Sequence, residues 1–261
     1  MSIPYVVPLG VAAALPTADE ANSYLAVVGE EGRFWLVDCA DSPIQRLEQA
    51  GLDPVKIAGL FITHFHPDHV YGLPALVLGL FLLEKQRGRS LEAPLPIYAR
   101  PEVMARIIAM LALFEPRAWW EAEPPLRYHF VEPRVGVRVG EGAGFVVTAA
   151  PTRHSVPSMA VRFDWQGDPY RSFTYSSDTA PAEEVVALAQ GTQLLFHEAT
   201  GEGHGHTSPA DAGAIAARAR AERLVLIHTE TGVRAVREAT RTCGRPVELA
   251  RSFRPYPFAS L

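Results

Sequence analysis

The hexapeptide His64-Phe65-His66-Pro67-Asp68-His69 places four metal-competent side chains in six positions. Imidazole nitrogen and carboxylate oxygen suit Zn²⁺ and related divalent ions. No cysteines cluster with them, which argues against a closed structural zinc site and for an open, catalytic one. In an extended segment His64 and His66 point to the same side, so both can grip one ion. Pro67 disfavours helix at His66 and permits one to begin just after it, which turns Asp68 and His69 towards a different point. The segment can therefore feed two neighbouring ions.

Ligand-type residues recur further along, each behind a run of branched and aromatic residues. Thr63 leads into His64, Ala149 runs on to His154, Ser176 to Asp178, Phe196 to His197 and Glu198, and Ile227 to His228. In α/β architectures ligands gather beyond the carboxyl ends of strands, so these handovers point to one shared site. The runs alternate with helical patterns through most of the chain, with no internal repeat or obvious linker, and one α/β domain over 1–261 is the economical reading. Strands are expected at about 24–28, 34–37, 59–63, 97–99, 144–149, 159–164, 172–176, 193–196 and 223–227, and a first strand within the apolar residues 1–15. Helices are expected at about 43–50, 70–87, 101–114, 181–189, 208–221 and 232–242. Ser208, Pro209 and Asp211 form a helix-start signal. Residues 115–135, with Pro116, Pro124, Pro125, Pro133 and the pair Trp119-Trp120, read as an irregular surface segment.

The 261 residues are 48% hydrophobic and 20% charged, which excludes disorder, collagen and coiled coil. A net charge of −5 offers no whole-protein attraction for nucleic acid, although a local basic groove would survive it. Cys39 and Cys243 cannot build a disulfide framework, so a reducing compartment is expected. The longest apolar run, Val70 to Leu83, is 14 residues and reads as a buried helix. A bilayer span needs roughly 18–20. No Lys or Arg precedes the apolar start, and Pro4 and Pro8 interrupt it, so no secretory leader is read and the expected location is cytoplasmic.

The HxHxDH segment, followed by Gly72, resembles the signature of the metallo-β-lactamase superfamily, whose fold is an αββα sandwich with a binuclear site at one edge. Leu9-Gly10 and Asn22-Ser23-Tyr24-Leu25 resemble its opening strands, Asp38-Cys39 its first turn, and Gly72-Leu73-Pro74 the helix after the motif. His154-Ser155-Val156-Pro157-Ser158 resembles the third ligand region and Ser177-Asp178-Thr179 the fourth. His197-Glu198-Ala199-Thr200, His206-Thr207-Ser208 and Leu226-Ile227-His228 complete a pattern most similar to ribonuclease Z and its phosphodiesterase relatives.

The resemblance implies two Zn²⁺ per chain, with Mn²⁺ or Fe²⁺ as alternatives. His64, His66 and His154 would hold the first ion, Asp68, His69 and His228 the second, and Asp178 would bridge them. A hydroxide shared by the ions would be the nucleophile, oriented by Asp68. Glu198 would hold His206 so that its imidazole can donate a proton to the departing alkoxide. His204 competes with His206 for that role, and Thr207 with the following helix favours His206. His197 reads as a supporting or packing residue, and His129 has no context.

Two features depart from the pattern. Ribonuclease Z proteins usually carry a long arm, inserted between the third and fourth metal motifs, that clamps transfer RNA. Here His154 and Asp178 are only 24 positions apart, and two strands with a turn at Trp165-Gln166-Gly167-Asp168-Pro169 use up the interval as a hairpin. The segment Asp38-Cys39-Ala40-Asp41-Ser42-Pro43 also lacks the glycines that usually follow the Asp-Cys pair. The leading expectation is therefore a zinc-dependent phosphodiesterase acting on a small or flexible phosphodiester through the bridging hydroxide. The alternatives are a transfer RNA 3′ processing endonuclease holding RNA through Arg100, Arg106, Arg117, Arg127 and Arg134, a thioester or lactone hydrolase, and a sensor on a degraded hydrolase scaffold. The resemblance also implies a homodimer. Trp119, Trp120 and the 101–114 helix would then form a contact or a pocket lip, or serve as ordinary core.

Overall fold

The computed structural model describes residues 3–120, 123–167, 169–229 and 232–258. Its strands, in chain order, are β1 (Tyr5–Gly10), β2 (Tyr24–Val28), β3 (Phe34–Val37), β4 (Ile57–Phe61), β5 (Leu95–Ala99), β6 (Leu126–Phe130) and β7 (Arg138–Gly142). They continue as β8 (Phe145–Pro151), β9 (Met159–Trp165), β10 (Arg171–Tyr175), β11 (Leu194–Glu198), β12 (Arg223–Ile227), β13 (Val247–Leu249) and β14 (Tyr256–Pro257). The α-helices are α1 (Pro43–Gln49), α2 (Pro67–Val70), α3 (Leu73–Arg87), α4 (Pro101–Ala112), α5 (Pro116–Trp120), α6 (Glu183–Leu188), α7 (Pro209–Arg218) and α8 (Gly232–Cys243).

Two seven-stranded sheets result, ordered β14-β1-β2-β3-β4-β5-β6 and β13-β12-β11-β10-β9-β8-β7. The period-two alternation of each strand decides what lies on either face. In β2 and β3, Leu25, Val27, Trp35 and Val37 face the second sheet, while Tyr24, Ala26, Phe34 and Leu36 join a cluster with Leu47 of α1, Leu76 of α3 and Met104 of α4. In β12, Val225 and Ile227 face the first sheet, while Leu224 and Leu226 pack with Ile215 of α7 and Ala239 of α8. Helices thus cover both outer faces, and an aromatic core including Trp35, Phe61, Phe145, Phe163 and Phe173 fills the space between the sheets. This is the αββα sandwich of the α/β class.

Several elements differ from the sequence reading. The helix expected over 70–87 is two helices, α2 and α3, broken at Tyr71 and Gly72. Gly72 N donates to Cys39 O, and a Cβ at Gly72 would lie 2.6 Å from Ala40 O, so the first turn presses against the break. The apolar run is also not wholly buried, since Leu78 and Leu82 are exposed. Residues 115–135, expected to be irregular, contain α5 and β6; Pro116 opens the helix, and Pro124 and Pro125 precede a strand on the sheet edge, where proline removes no ladder bond. The expected strand 59–63 is β4, displaced to Ile57–Phe61. Strands β7, β13 and β14 had no readable pattern because β7 carries glycines and the other two are very short.

The hairpin expected between His154 and Asp178 is present: β9 and β10 pair antiparallel, with Trp165 opposite Arg171. Within its turn, Asp168 lies outside the described residues. Among the described residues, no helix is long and apolar enough to cross a membrane.

Candidate active site

The parallel strands β3 and β4, and β10 to β12, end at one rim of the sandwich, and the residues that follow them converge there. β4 delivers Thr63 and His64. His66 is extended (φ −99°, ψ 152°), and Pro67 then opens α2, which carries Asp68 and His69. β8 leads to His154, β10 to Asp178 and β12 to His228. The backbone is in the left-handed region at Asp38 (φ 63°), Ser177 (φ 54°) and His228 (φ 51°), three non-glycine residues at the site.

Ligand atoms of His64, His66 and His154 lie within 4.8 Å of one another, and so do those of Asp68, His69 and His228. His66 Nδ1 is 3.1 Å from both His64 Nε2 and His154 Nε2. His69 Nε2 and His228 Nε2 lie 3.3 and 3.4 Å from Asp68 Oδ2. Asp178 Oδ2 stands between the two sets, 3.8 Å from His64 Nε2, 4.0 Å from His154 Nε2 and 3.6 Å from the Nε2 atoms of both His69 and His228. All seven residues that the sequence singled out as ligands are thus brought together.

Which nitrogen of each ring faces the centre is set by partners outside it. His69 Nδ1 lies 2.8 Å from Asp38 Oδ2, and His154 Nδ1 lies 2.9 Å from Gly205 O, both pure acceptors at neutral pH. His64 Nδ1 meets Thr63 Oγ1, whose own proton goes to Asp38. His228 Nδ1 meets Thr200 Oγ1, whose proton goes to His228 O. Each Nδ1–H is therefore a donor, and the Nε2 lone pair is left turned inward, the arrangement that orients histidine on a metal. Gly205, at φ +84°, is required for this contact: a Cβ there would lie 2.9 Å from His154 Nδ1.

The electrostatics fit a cationic occupant. Burial lowers His64 well below the usual imidazole range, and burial with the neighbouring His154 lowers His66. Burial also opposes charge on His69, but the Asp178 and Asp38 carboxylates outweigh it and raise this imidazole well above its ordinary value, so a proton occupies the ring until a metal cation displaces it and frees the lone pair. Asp178 is held well below the usual carboxylate range despite burial, through His228 and His69. Asp178 Oδ1 and His69 Nε2 are buried without a hydrogen-bond partner among the described residues. Buried carboxylates and inward lone pairs of this kind ask for a divalent cation. The donor set of imidazoles and carboxylates suits zinc or a similar ion.

Beside this cluster, Glu198 is fully buried at the end of β11 and accepts four hydrogen bonds, from His206 Nδ1 (3.0 Å), Thr207 N (3.0 Å), Thr179 N (3.3 Å) and Thr200 N (2.8 Å). The hydrogen bond that His206 donates to Glu198 raises the His206 pKa, with burial opposing. The His206 ring is 5.0 Å from that of His154 and 5.8 Å from that of His228, and its side chain keeps 19% exposure. His204 is exposed, which leaves His206 as the partner of Glu198. His197 points into the helical layer and bonds through Nδ1 to Glu198 O, so it packs and does not join the cluster. His129, without context in the sequence, stacks on Tyr98.

Asp38, Thr63, Thr200 and Gly205 escaped sequence reasoning as site residues. Asp38 carried a signal, an acidic residue directly behind the wholly apolar strand Phe34–Val37, where burial demands a partner. Thr200 and Gly205 carried none, since their partners are 28 and 51 positions away.

The Beta-lactamase superfamily domain matches residues 33–229, and the chain belongs to that superfamily as a hydrolase of the metallo-β-lactamase fold. It is 27% identical over 239 residues to ribonuclease Z of Methanothermobacter thermautotrophicus, covering 74% of this chain and 73% of the relative. Among solved structures, human tRNase Z, short form, is 26% identical with a TM-score of 0.75, covering 98% of this chain and 100% of that one. The metallo-beta-lactamase fold protein YhfI of Bacillus subtilis shares the fold, with a TM-score of 0.83, 21% identity and coverage of 98% and 99%.

Proposed function

We propose that the protein is a binuclear zinc phosphodiesterase of ribonuclease Z type that acts on a small or flexible phosphodiester. The observation carrying this reading is the Glu198–His206 pair beside the seven converging ligands. His64, His66 and His154 would hold one ion and Asp68, His69 and His228 the other, with Asp178 shared. Two bound divalent ions supply an acidified water and neutralise phosphoryl oxygens. The chain's own residues do the rest. Asp38, Thr63, Gly205 and Thr200 fix the ligand rings. Asp68 orients the attacking water. Glu198 accepts from His206 Nδ1, which turns Nε2 of the same ring into the proton donor for the leaving alkoxide. A ribose or glycerol oxygen needs that proton, whereas a thiolate does not, which favours a phosphodiester over a thioester.

The small-substrate reading rests on the interval between His154 and Asp178. It is spent on the β9–β10 hairpin, which Arg162 ties down by donating to Asp164, Leu188 O and Gln190 O. Turnover of bis(p-nitrophenyl) phosphate by the zinc-loaded protein tests the activity; no zinc-dependent hydrolysis refutes it. The similarity to proteins called ribonuclease Z supports a second reading, transfer RNA 3′ processing in the cytoplasm. Cleavage of a precursor transfer RNA at its 3′ side would favour this reading, and failure to bind RNA at low salt would exclude it.

A further inference from the structure

Along the starts of β4 and β5 and the edge strand β6, the first sheet borders a cavity of about 240 Å³. Arg33, Glu92, Arg127, His129 and Tyr98 line it. The Arg33 and Arg127 guanidinium groups and the Tyr98 hydroxyl have no hydrogen-bond or ion-pair partner among the described residues. Arg127 and His129 stand two apart on edge strand β6, opposite Pro96 and Tyr98 of β5, so they share one face of the sheet.

The floor of the cavity is rigid. The His129 ring lies flat on Tyr98, with centroids 4.5 Å apart and planes at 16°, and Tyr98 stacks on Phe61 at 4.8 Å. Trp35 packs against both, and Gly140 of β7 closes over the pair, where a Cβ would lie 3.3 Å from Trp35 and 3.4 Å from Tyr98. The aromatic column therefore ends in the cavity with an imidazole face held in place. In a chain of net charge −5, two guanidinium groups against one carboxylate run counter to the overall balance.

We propose that this cavity is a second, non-catalytic binding site for a small phosphate-bearing anion, with phosphoryl oxygens on Arg33 and Arg127 and an attached planar ring against His129. The planar guanidinium fork matches phosphate geometry, and a flat ring gains from stacking on a fixed aromatic face. None of the residues lining this cavity belongs to the histidine cluster, so the two are separate sites.

Calorimetric titration of the full-length, zinc-loaded protein with inorganic phosphate tests the site. Two binding events are expected, one at the metal cluster and one here. Arg33→Ala with Arg127→Ala should weaken one event at least tenfold and leave the other, and Glu92→Gln should tighten the same event severalfold by removing a like charge. With AMP as the probe, His129→Ala should weaken binding while leaving inorganic phosphate unaffected. Binding that the double substitution leaves unchanged, or weaker binding in Glu92→Gln, would overturn the proposal, whether or not a second event occurs at the metal cluster. The readout is binding, so a failure of phosphodiesterase activity would leave it intact.

Discussion

One half of the candidate site is sealed and the other is open. His64, His69 and Asp38 have no exposed surface and Asp178 has 2%, whereas the side chains of Asp68 and His206 keep 12% and 19%. The sealed half is fixed by hydrogen bonds that end inside the protein, such as those Asp38 accepts from Thr63 and His69. The open half faces the space a substrate must enter. The difference separates two duties: the sealed residues hold charge in place, and the open ones meet the reacting group. Substitutions in the first should change metal content and stability; in the second, His206 should change kinetics alone, whereas Asp68, also a candidate ligand, should change both.

The strongest challenge to this division is Asp178→Ala. It should abolish hydrolysis and leave fewer than two zinc ions per chain by elemental analysis; retention of both ions would show that Asp178 is not shared. On the open side, His206→Ala should lower kcat about 10²–10⁴-fold on an alkyl phosphodiester and largely spare p-nitrophenyl esters, whose leaving group departs unprotonated. Equal loss on both substrates would remove the acid role. Asp38→Ala touches no substrate, yet should cost about 10–100-fold in metal affinity, and about 3–5 kcal/mol of stability because His69 loses a buried partner. Denaturant midpoints and competition with a zinc chelator measure the two effects.

Chelation of the metals should lower Tm by several degrees, since a ligand at about a hundredfold over its Kd contributes about 2.7 kcal/mol. The smallest effect sharpens the open half. The Glu198 hydrogen bond raises the His206 pKa, so the imidazole stays protonated to higher pH, and activity that needs this proton falls only as pH rises through the raised value. In Glu198→Gln the basic limb of the kcat profile should move to lower pH. An unmoved limb would assign it to another group.

The candidate ligands were legible in the sequence because their information is local. Four stand in one hexapeptide, and His154, Asp178 and His228 each follow a run of strand-forming residues. Pro67 likewise announced that Asp68 and His69 would leave the direction of His66, and Ser208 announced α7, whose Asp211 N it accepts. The division of 70–87 had a local signal in Pro74, which suits only the first turn of a helix, but the close approach of the Ala40 backbone to Gly72 was not legible. Nor was β6, since its prolines read as loop without the knowledge that the strand lies on an edge.

The sequence by itself determined which side chains reach the carboxyl ends of the strands, since side-chain type and the alternation of apolar residues are properties of neighbouring positions. Only the tertiary structure decided which nitrogen of each histidine turns inward. Those choices belong to hydrogen-bond partners such as Asp38 for His69 and Gly205 for His154, 31 and 51 positions away, which no local pattern encodes.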